Sequence, residues 1–589
     1  MMNSPRSFLL LALLMLGYLM WAQWQQDYAS GVLPVAETIA TPAVPDDVPA
    51  ASTPSATPAA PGEIPTASAA ASAPAAIPTA ANAAAAVSSA NRISVTTDLL
   101  HVEIDPRGGS IVIAELLAYP RDPKTAQPSV RLFDDNADTF FAAQSGLVSS
   151  TGAAPDHQAL YQSAQNEYRL ADGQASIDVP LTWTDPSGIS VRKVFRFERG
   201  SYVIDQRSEI SNASAAAWTG NSYQQLQRVP IVFDVSGIKA YTNTEHYSFV
   251  GAADYSPQDK FQKLAFGKFD KDPLKKDVQG GWIAMIQHYF FAAWIPPADQ
   301  SATYTTNTLP NNGQPRYLIR SVSAPITIAP GAQQTVDARL YVGPKLQDTI
   351  DNVAPGLSLT ANYGIFTIIS KPLHWVLSKL HAITGNWGFA IILLVLLIKA
   401  VFFKLSEAQY RSMAKMRKMQ PRIAALKERY GDDKQKVNAA MMEIYQKEKI
   451  NPLGGCLPML IQMPVFFALY WVLLESVELR HAPFIGWIHN LSAPDPYFVL
   501  PILNAATMIA TQYISPATGM DPTQAKIMKV MPVMFSVLFA FFPAGLVLYW
   551  TTNGMLSLAQ QWIITKRVES SDNKPKPNGK GKGVAIKAR

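Results

Sequence analysis

The chain has 589 residues, of which 48% are hydrophobic and 16% charged, with a formal net charge of +6. That balance excludes a single small soluble domain and fits a membrane protein that carries a soluble part. The one cysteine, Cys456, excludes an intrachain disulfide, so an exported domain must be held by its core alone.

The apolar run Ser7–Trp24 follows Arg6 and closes on Trp21 and Trp24 like an interfacial belt. It reads either as a cleaved signal peptide or as a retained anchor. No small-x-small cleavage site follows it, which favours an anchor over 1–28 with its N-terminus in the cytoplasm. Residues 29–91 are rich in Ala, Pro, Ser and Thr and nearly free of charge. Such a segment cannot bury enough apolar surface to offset ordering entropy, so a disordered tether is expected.

Period-two alternation starts at Ile93/Val95 and Leu100/Val102/Ile104, turns at Asp105-Pro106-Arg107-Gly108-Gly109 and resumes at Ile111/Ile113. Val191/Phe195/Phe197 and Tyr202/Ile204 flank Glu198-Arg199-Gly200-Ser201 as a second hairpin. Residues 92–345 therefore read as one large antiparallel β-sandwich outside the cytoplasm. From Gly364 to Leu380, Ile365, Ile368, Ile369, Val376, Leu377 and Leu380 fall near helical spacing, with Pro372 among them. An amphipathic helix over 364–383 lying on the outer membrane surface is expected, and a core helix of the sandwich is the alternative.

Trp387–Leu405 (span 386–405) is apolar and long enough to cross a bilayer core. It contains Lys399 and Lys404. A lysine at membrane depth is costly and usually faces a bundle interior or a hydrated cavity; near a helix end it can instead snorkel to the headgroups. The basic stretch 406–451 has helical apolar stripes on either side of Gly431-Asp432-Asp433, which predicts a cytoplasmic helical hairpin. Residues 452–565 hold four further apolar segments: Pro452–Val477, Tyr497–Ile514, Ile527–Phe542 and Leu546–Ile564. Leu453-Gly454-Gly455-Cys456 looks like a lipoprotein acylation box, but lies far inside the chain and is read as the start of a helix. Pro543-Ala544-Gly545 cannot continue a helix and separates the last two spans. The tail 566–589 is basic and Gly/Lys-rich. Six spans put both termini on the positive, cytoplasmic side.

The expected chemistry is defined by what the motifs lack. Spans two to six have no carboxylate away from their ends, no G-x-x-x-x-G-K-[ST] loop and no His/Cys cluster of metal-ligand spacing. What remains is one cation, Lys399, with the neutral polar residues Gln462, Gln512, Thr551 and Asn553 at membrane depth. Each of these is commonly interhelical glue. Together with an unpaired ammonium they suit a hydrated concavity.

NWGFAIILLVLLIKAVFFKLSEAQYRSMAKMRKMQP, GDDKQKVNAAMMEIYQKEKINPLGGCLPMLIQMPVFFALYWVL and FPAGLVLYW resemble the YidC/Oxa/Alb family of membrane protein insertases, in its Gram-negative form with a large periplasmic domain. GWIAMIQHYFFAAWIP is similar to that domain. The resemblance covers Gly364–Thr565 and both ends of the sandwich, but neither the tether nor the last twenty residues.

It implies an α-helical polytopic protein with a five-helix core, plus an all-β supersandwich in the periplasm of the bacterial inner membrane. It also implies a positively charged groove that inserts and helps fold membrane proteins, alone or with the Sec translocon, without nucleotide hydrolysis, enzymatic activity or a cofactor. The family's groove cation is usually arginine; the matching position here is Lys399, which keeps the charge but not bidentate pairing. Gln462 and Trp550 match family contact positions, and Asp432 matches the acid at the hairpin tip. The implied partners are nascent inner-membrane proteins, the Sec translocon, the signal-recognition machinery, the ribosome and the phospholipid bilayer. Two other classes stay open from sequence: a glycan enzyme or binder seated in the sandwich, and a lipid scramblase or passive channel.

Overall fold

The structure, a computed structural model, describes residues 92–122, 128–232, 248–311, 313–361, 363–431, 433–447, 457–514 and 522–572. The expected anchor, the tether, Asp432, the Gly454-Gly455-Cys456 helix start and residues 573–589 lie outside the described residues.

The alternation read from the sequence becomes strands whose every second residue is buried. Ile93–Thr96 pairs antiparallel with Leu100–Asp105, setting Val95 opposite Val102. The turn that follows needs glycine, since Gly108 and Gly109 have φ of +71° and +60°, and a Cβ on Gly108 would run into the His157 backbone. Ile189–Glu198 and Val203–Asn212 form the second expected hairpin, with Phe197 opposite Ile204. Among the described residues the strands form one sheet of eleven and one of nine. Their inner faces share a core in which Phe195, Phe197, Ile204 and Leu340 of the smaller sheet meet Ile104, Ile111, Leu226 and Ile319 of the larger. Such face-to-face packing makes a β-sandwich.

Past the sandwich the period changes to helical. We number the described helices α1 Gln347–Val353, α2 Thr367–Thr384, α3 Trp387–Val401, α4 Phe403–Lys418, α5 Gln420–Tyr430, α6 Lys434–Lys447, α7 Leu457–Glu475, α8 Val499–Ile514, α9 Pro522–Phe539 and α10 Ala544–Asp572. α1 packs under the smaller sheet, placing Ile350 with Trp282, Phe291 and Tyr341. α2, α3, α7, α8 and α10 share a second core built on Leu377, Leu394, Val395, Leu469, Val472, Leu500 and Val547. α5 and α6 close on Ile423 and Tyr445 with Met416, Met419 and Met441, which is the expected hairpin.

Three expectations change. The run Trp387–Leu405 is not one helix: it bends by 69° between α3 and α4, at Phe402, whose φ of −90° and ψ of 9° leave the helical region. Lys404 therefore belongs to the second helix. The basic stretch likewise makes three helices rather than two, because α4 packs back along α10 before the hairpin begins. α10 also runs on to Asp572, past the boundary expected at 565.

Among the described residues no single helix is long and apolar enough to cross a membrane by itself. The bent pair α3–α4 passes that test together, and Ile461–Glu475, Val499–Ile514 and Val530–Phe539 are shorter apolar stretches.

Candidate functional site

The site is built around α3. Asn386 caps that helix, its Oδ1 accepting from Gly388 N at 2.9 Å and Phe389 N at 3.2 Å. The same side chain donates to Phe484 O at 3.0 Å, tying the helix start to the loop after α7. Ala390, Ile391, Leu394, Val395, Ile398 and Lys399 are buried, while Phe389, Leu393, Leu396, Leu397 and Val401 are exposed. This is helical spacing with a buried and an apolar exposed face, so Lys399 lies on the stripe turned towards the other helices.

Only 6% of Lys399 is exposed, and its Nζ donates to Ser557 Oγ of α10 at 2.7 Å. Ser557 in turn donates to Asn553 O at 2.7 Å. No carboxylate among the described residues forms an ion pair with Lys399. Lys404 behaves differently: its side chain is 92% exposed and lies 3.8 Å from Glu407. Lys404 therefore stands on an exposed face, and Lys399 on the buried one.

The remaining expected residues divide into two groups. Asn553 meets Lys399 through its main-chain carbonyl alone, which accepts from Ser557. Trp550 instead stacks on Phe466 of α7, with ring centroids 5.0 Å apart, and lies 3.9 Å from Phe539 of α9. Gln462 precedes Phe466 by one turn on α7 and is half-buried, as is Gln512 on α8. No hydrogen bond links Gln462 to Lys399. Thr551 bonds back to Val547 O at 2.8 Å and reaches Leu500 O at 3.3 Å, which makes it glue between α10 and α8.

Ser557 was missed from sequence, although its spacing of four from Asn553 placed both on one helix face. A second missed position is Gly554, where α8 approaches α10 so closely that a Cβ would lie 2.9 Å from Thr507 Oγ1.

The comparisons decide the family. The model of the YidC periplasmic domain matches residues 92–376, and that of the 60Kd inner membrane protein matches 379–572. The membrane protein insertase YidC of Thioalkalivibrio sulfidiphilus is 45% identical, across 97% of this chain and 100% of that protein. The chain belongs to the YidC family of membrane protein insertases.

Its counterpart in Alkalilimnicola ehrlichii is 48% identical, over 97% of this chain and 96% of that one. A solved structure described as an active YidC insertase with the first transmembrane domain resolved is 18% identical, covering 80% of this chain and 92% of its own, with a TM-score of 0.35. Membership makes this an inner-membrane protein with a periplasmic domain, which is the twenty-strand sandwich. The two family models meet within α2, so the boundary between the domains is the helix that joins sandwich to bundle.

Proposed function

We propose that the helical part inserts membrane proteins through a hydrated, positively charged groove in which Lys399 is the fixed cation, held by Ser557, and to which Asn553 belongs. The reading includes six spans with both termini in the cytoplasm and the α5–α6 hairpin, tipped by Asp432, as the receiving surface. Gln462, Gln512 and Trp550 line the path. The observation that carries it is a buried ammonium whose partner is a neutral hydroxyl, with no carboxylate paired to it among the described residues. An ammonium held this way keeps an unspent electrostatic attraction for an acidic group.

A client with one apolar segment must move a polar, often acidic, tail across the bilayer. Attraction between unit charges about 4 Å apart is worth about 4 kcal/mol at an effective dielectric near 20, against about 1 kcal/mol in water. Partitioning of the apolar segment then drives insertion, at about −0.5 kcal/mol for each leucine-like residue. No nucleotide is needed. The hairpin and the tail carry the basic charge suited to ribosomal RNA, and the Sec translocon and signal-recognition machinery are the further proposed partners.

Site-specific crosslinking from positions 399, 462 and 550 to a stalled nascent membrane protein tests the reading. Adducts from all three are expected. Their absence, with adducts arising instead from the exposed face of α3, would remove the groove.

A further inference from the structure

Glu475 ends α7 and sits at the margin of the bundle, where a carboxylate would be expected to reach water. It is 1% exposed. Its Oε2 receives Lys345 Nζ at 3.3 Å and its Oε1 accepts from Ser248 Oγ at 2.9 Å. Lys345 is itself 2% exposed and lies just after the last strand of the sandwich, where its backbone N donates to Tyr289 O at 2.9 Å. Beside the pair, a ring nitrogen of His288, Nε2, lies 2.9 Å from Leu474 O. The chain after α7 continues into the sandwich: Val477 joins the core shared by the two sheets, and Arg480 donates to Pro120 O at 2.9 Å.

We propose that Lys345 and Glu475 form the pin that fixes the outer end of α7, and so hold Gln462 in place opposite α10. Thirteen residues separate Glu475 from Gln462, about 20 Å of helix at 1.5 Å per residue. Pro464 lies between them and removes one backbone hydrogen bond, so the segment carrying Gln462 depends on what holds its far end. A buried ion pair whose remaining oxygen is also bonded is a directional restraint, because either charge alone is costly to keep out of water. Lys345 belongs to the connector between sandwich and α2, so the pin links that connector, together with Ser248 of the sandwich, to α7. The proposal rests on the groove reading for its consequence, but not for the pin itself.

The test uses the full-length protein in phosphatidylethanolamine/phosphatidylglycerol vesicles, in a Cys456→Ser background. Spin labels at the exposed positions Thr335 on the sandwich and Ile485 on the loop after α7 report the distance across the pin. Crosslinking of a stalled client from position 462, relative to position 550, reports the groove. Lys345→Met and Glu475→Gln are each expected to broaden the distance distribution and lower the 462-to-550 ratio at least fivefold. The apolar pair Lys345→Met/Glu475→Leu is expected to restore both, which a role in chain stability alone does not predict for the ratio. Unchanged widths and ratio in the single variants, or a double variant no better than either single, would overturn the pin. If the unsubstituted protein gives no adducts at either position, the groove reading fails while the spin-label widths still decide the pin.

Discussion

At the scale of single residues, the chemistry lies in which charges are left with neutral partners. If Lys399 is the groove cation proposed above, Lys399→Glu puts a carboxylate in its place, and insertion of acidic-tailed clients is expected to fall at least tenfold in a reconstituted assay. Lys399→Arg is expected to retain it, because the charge survives. Ser557→Ala removes the hydroxyl but not the cation and should cost about 1.5–3 kcal/mol of stability, the range for a hydrogen bond to a charged group. A second residue-scale effect concerns His288 in the sandwich. Burial pushes its imidazole down to about 4, so the folded protein holds it neutral where an unfolded chain, with a histidine near 6.5, binds a proton. The unfolded state then binds more protons below about pH 6.5. Stability is complete above that value and is lost as pH falls towards about 4, by on the order of 3 kcal/mol. Melting in detergent at pH 7.5 and pH 5 should show the loss, and His288→Gln should reduce it without abolishing it, since burial also pushes His157 down to about 4. Lys399 was readable from sequence because a charge in an apolar run stands out. Ser557 and the buried face of Glu475 were not, since nothing in a helical serine or a terminal glutamate says what packs against it.

At the scale of elements, periodicity gave the strands and helices, and packing set where they stop. The hairpins at Gly108-Gly109 and Gly200 appear where alternation meets residues able to take positive φ. The break at Phe402 had no such marker: it lies within a continuous apolar-to-basic helical pattern, and only the demand that α4 pack along α10 turns the chain. α2 is two-faced, and its buried face packs in the bundle, not in the sandwich where one sequence alternative put it. Ser370, His374 and Leu377 are buried, with Ser370 Oγ donating to Ala468 O of α7 at 3.1 Å, while Ile368, Trp375 and Ile383 are exposed. The crossing of α8 and α10 depends on Gly554. Gly554→Val forces branched atoms against Thr507 and is expected to destabilise the protein by about 1–3 kcal/mol, read as a lower melting temperature in detergent; Gly554→Ala should cost less.

At the scale of the whole molecule, sandwich and bundle have separate cores but are joined at the end of α7. Both members of the Lys345–Glu475 pair lie outside the segment Arg92–Val342, so deleting that segment keeps them and the bundle core but removes Ser248 and the sandwich that buries the pair, which opens both charges to water. Insertion of single-span clients by the deleted protein is expected to persist, measured by protease protection of the client in vesicles. A glycan enzyme seated in the sandwich would lose its activity entirely. Breaking the pair with the sandwich present should be worse than deleting the sandwich, because one buried charge left alone costs about 3–5 kcal/mol. The sequence by itself determined the class of each part, since alternation of period two, helical apolar stripes and long ordered motifs are properties of neighbours along the chain. It also marked Lys399 as the charge that needs an explanation. Only the tertiary structure decided that this amine meets Ser557, that the second apolar run is bent, and that a glutamate at the edge of the bundle is buried beneath the sandwich. Those facts depend on contacts between residues far apart in sequence, such as Lys345 and Glu475, and no local pattern encodes which distant partner a polar group will find.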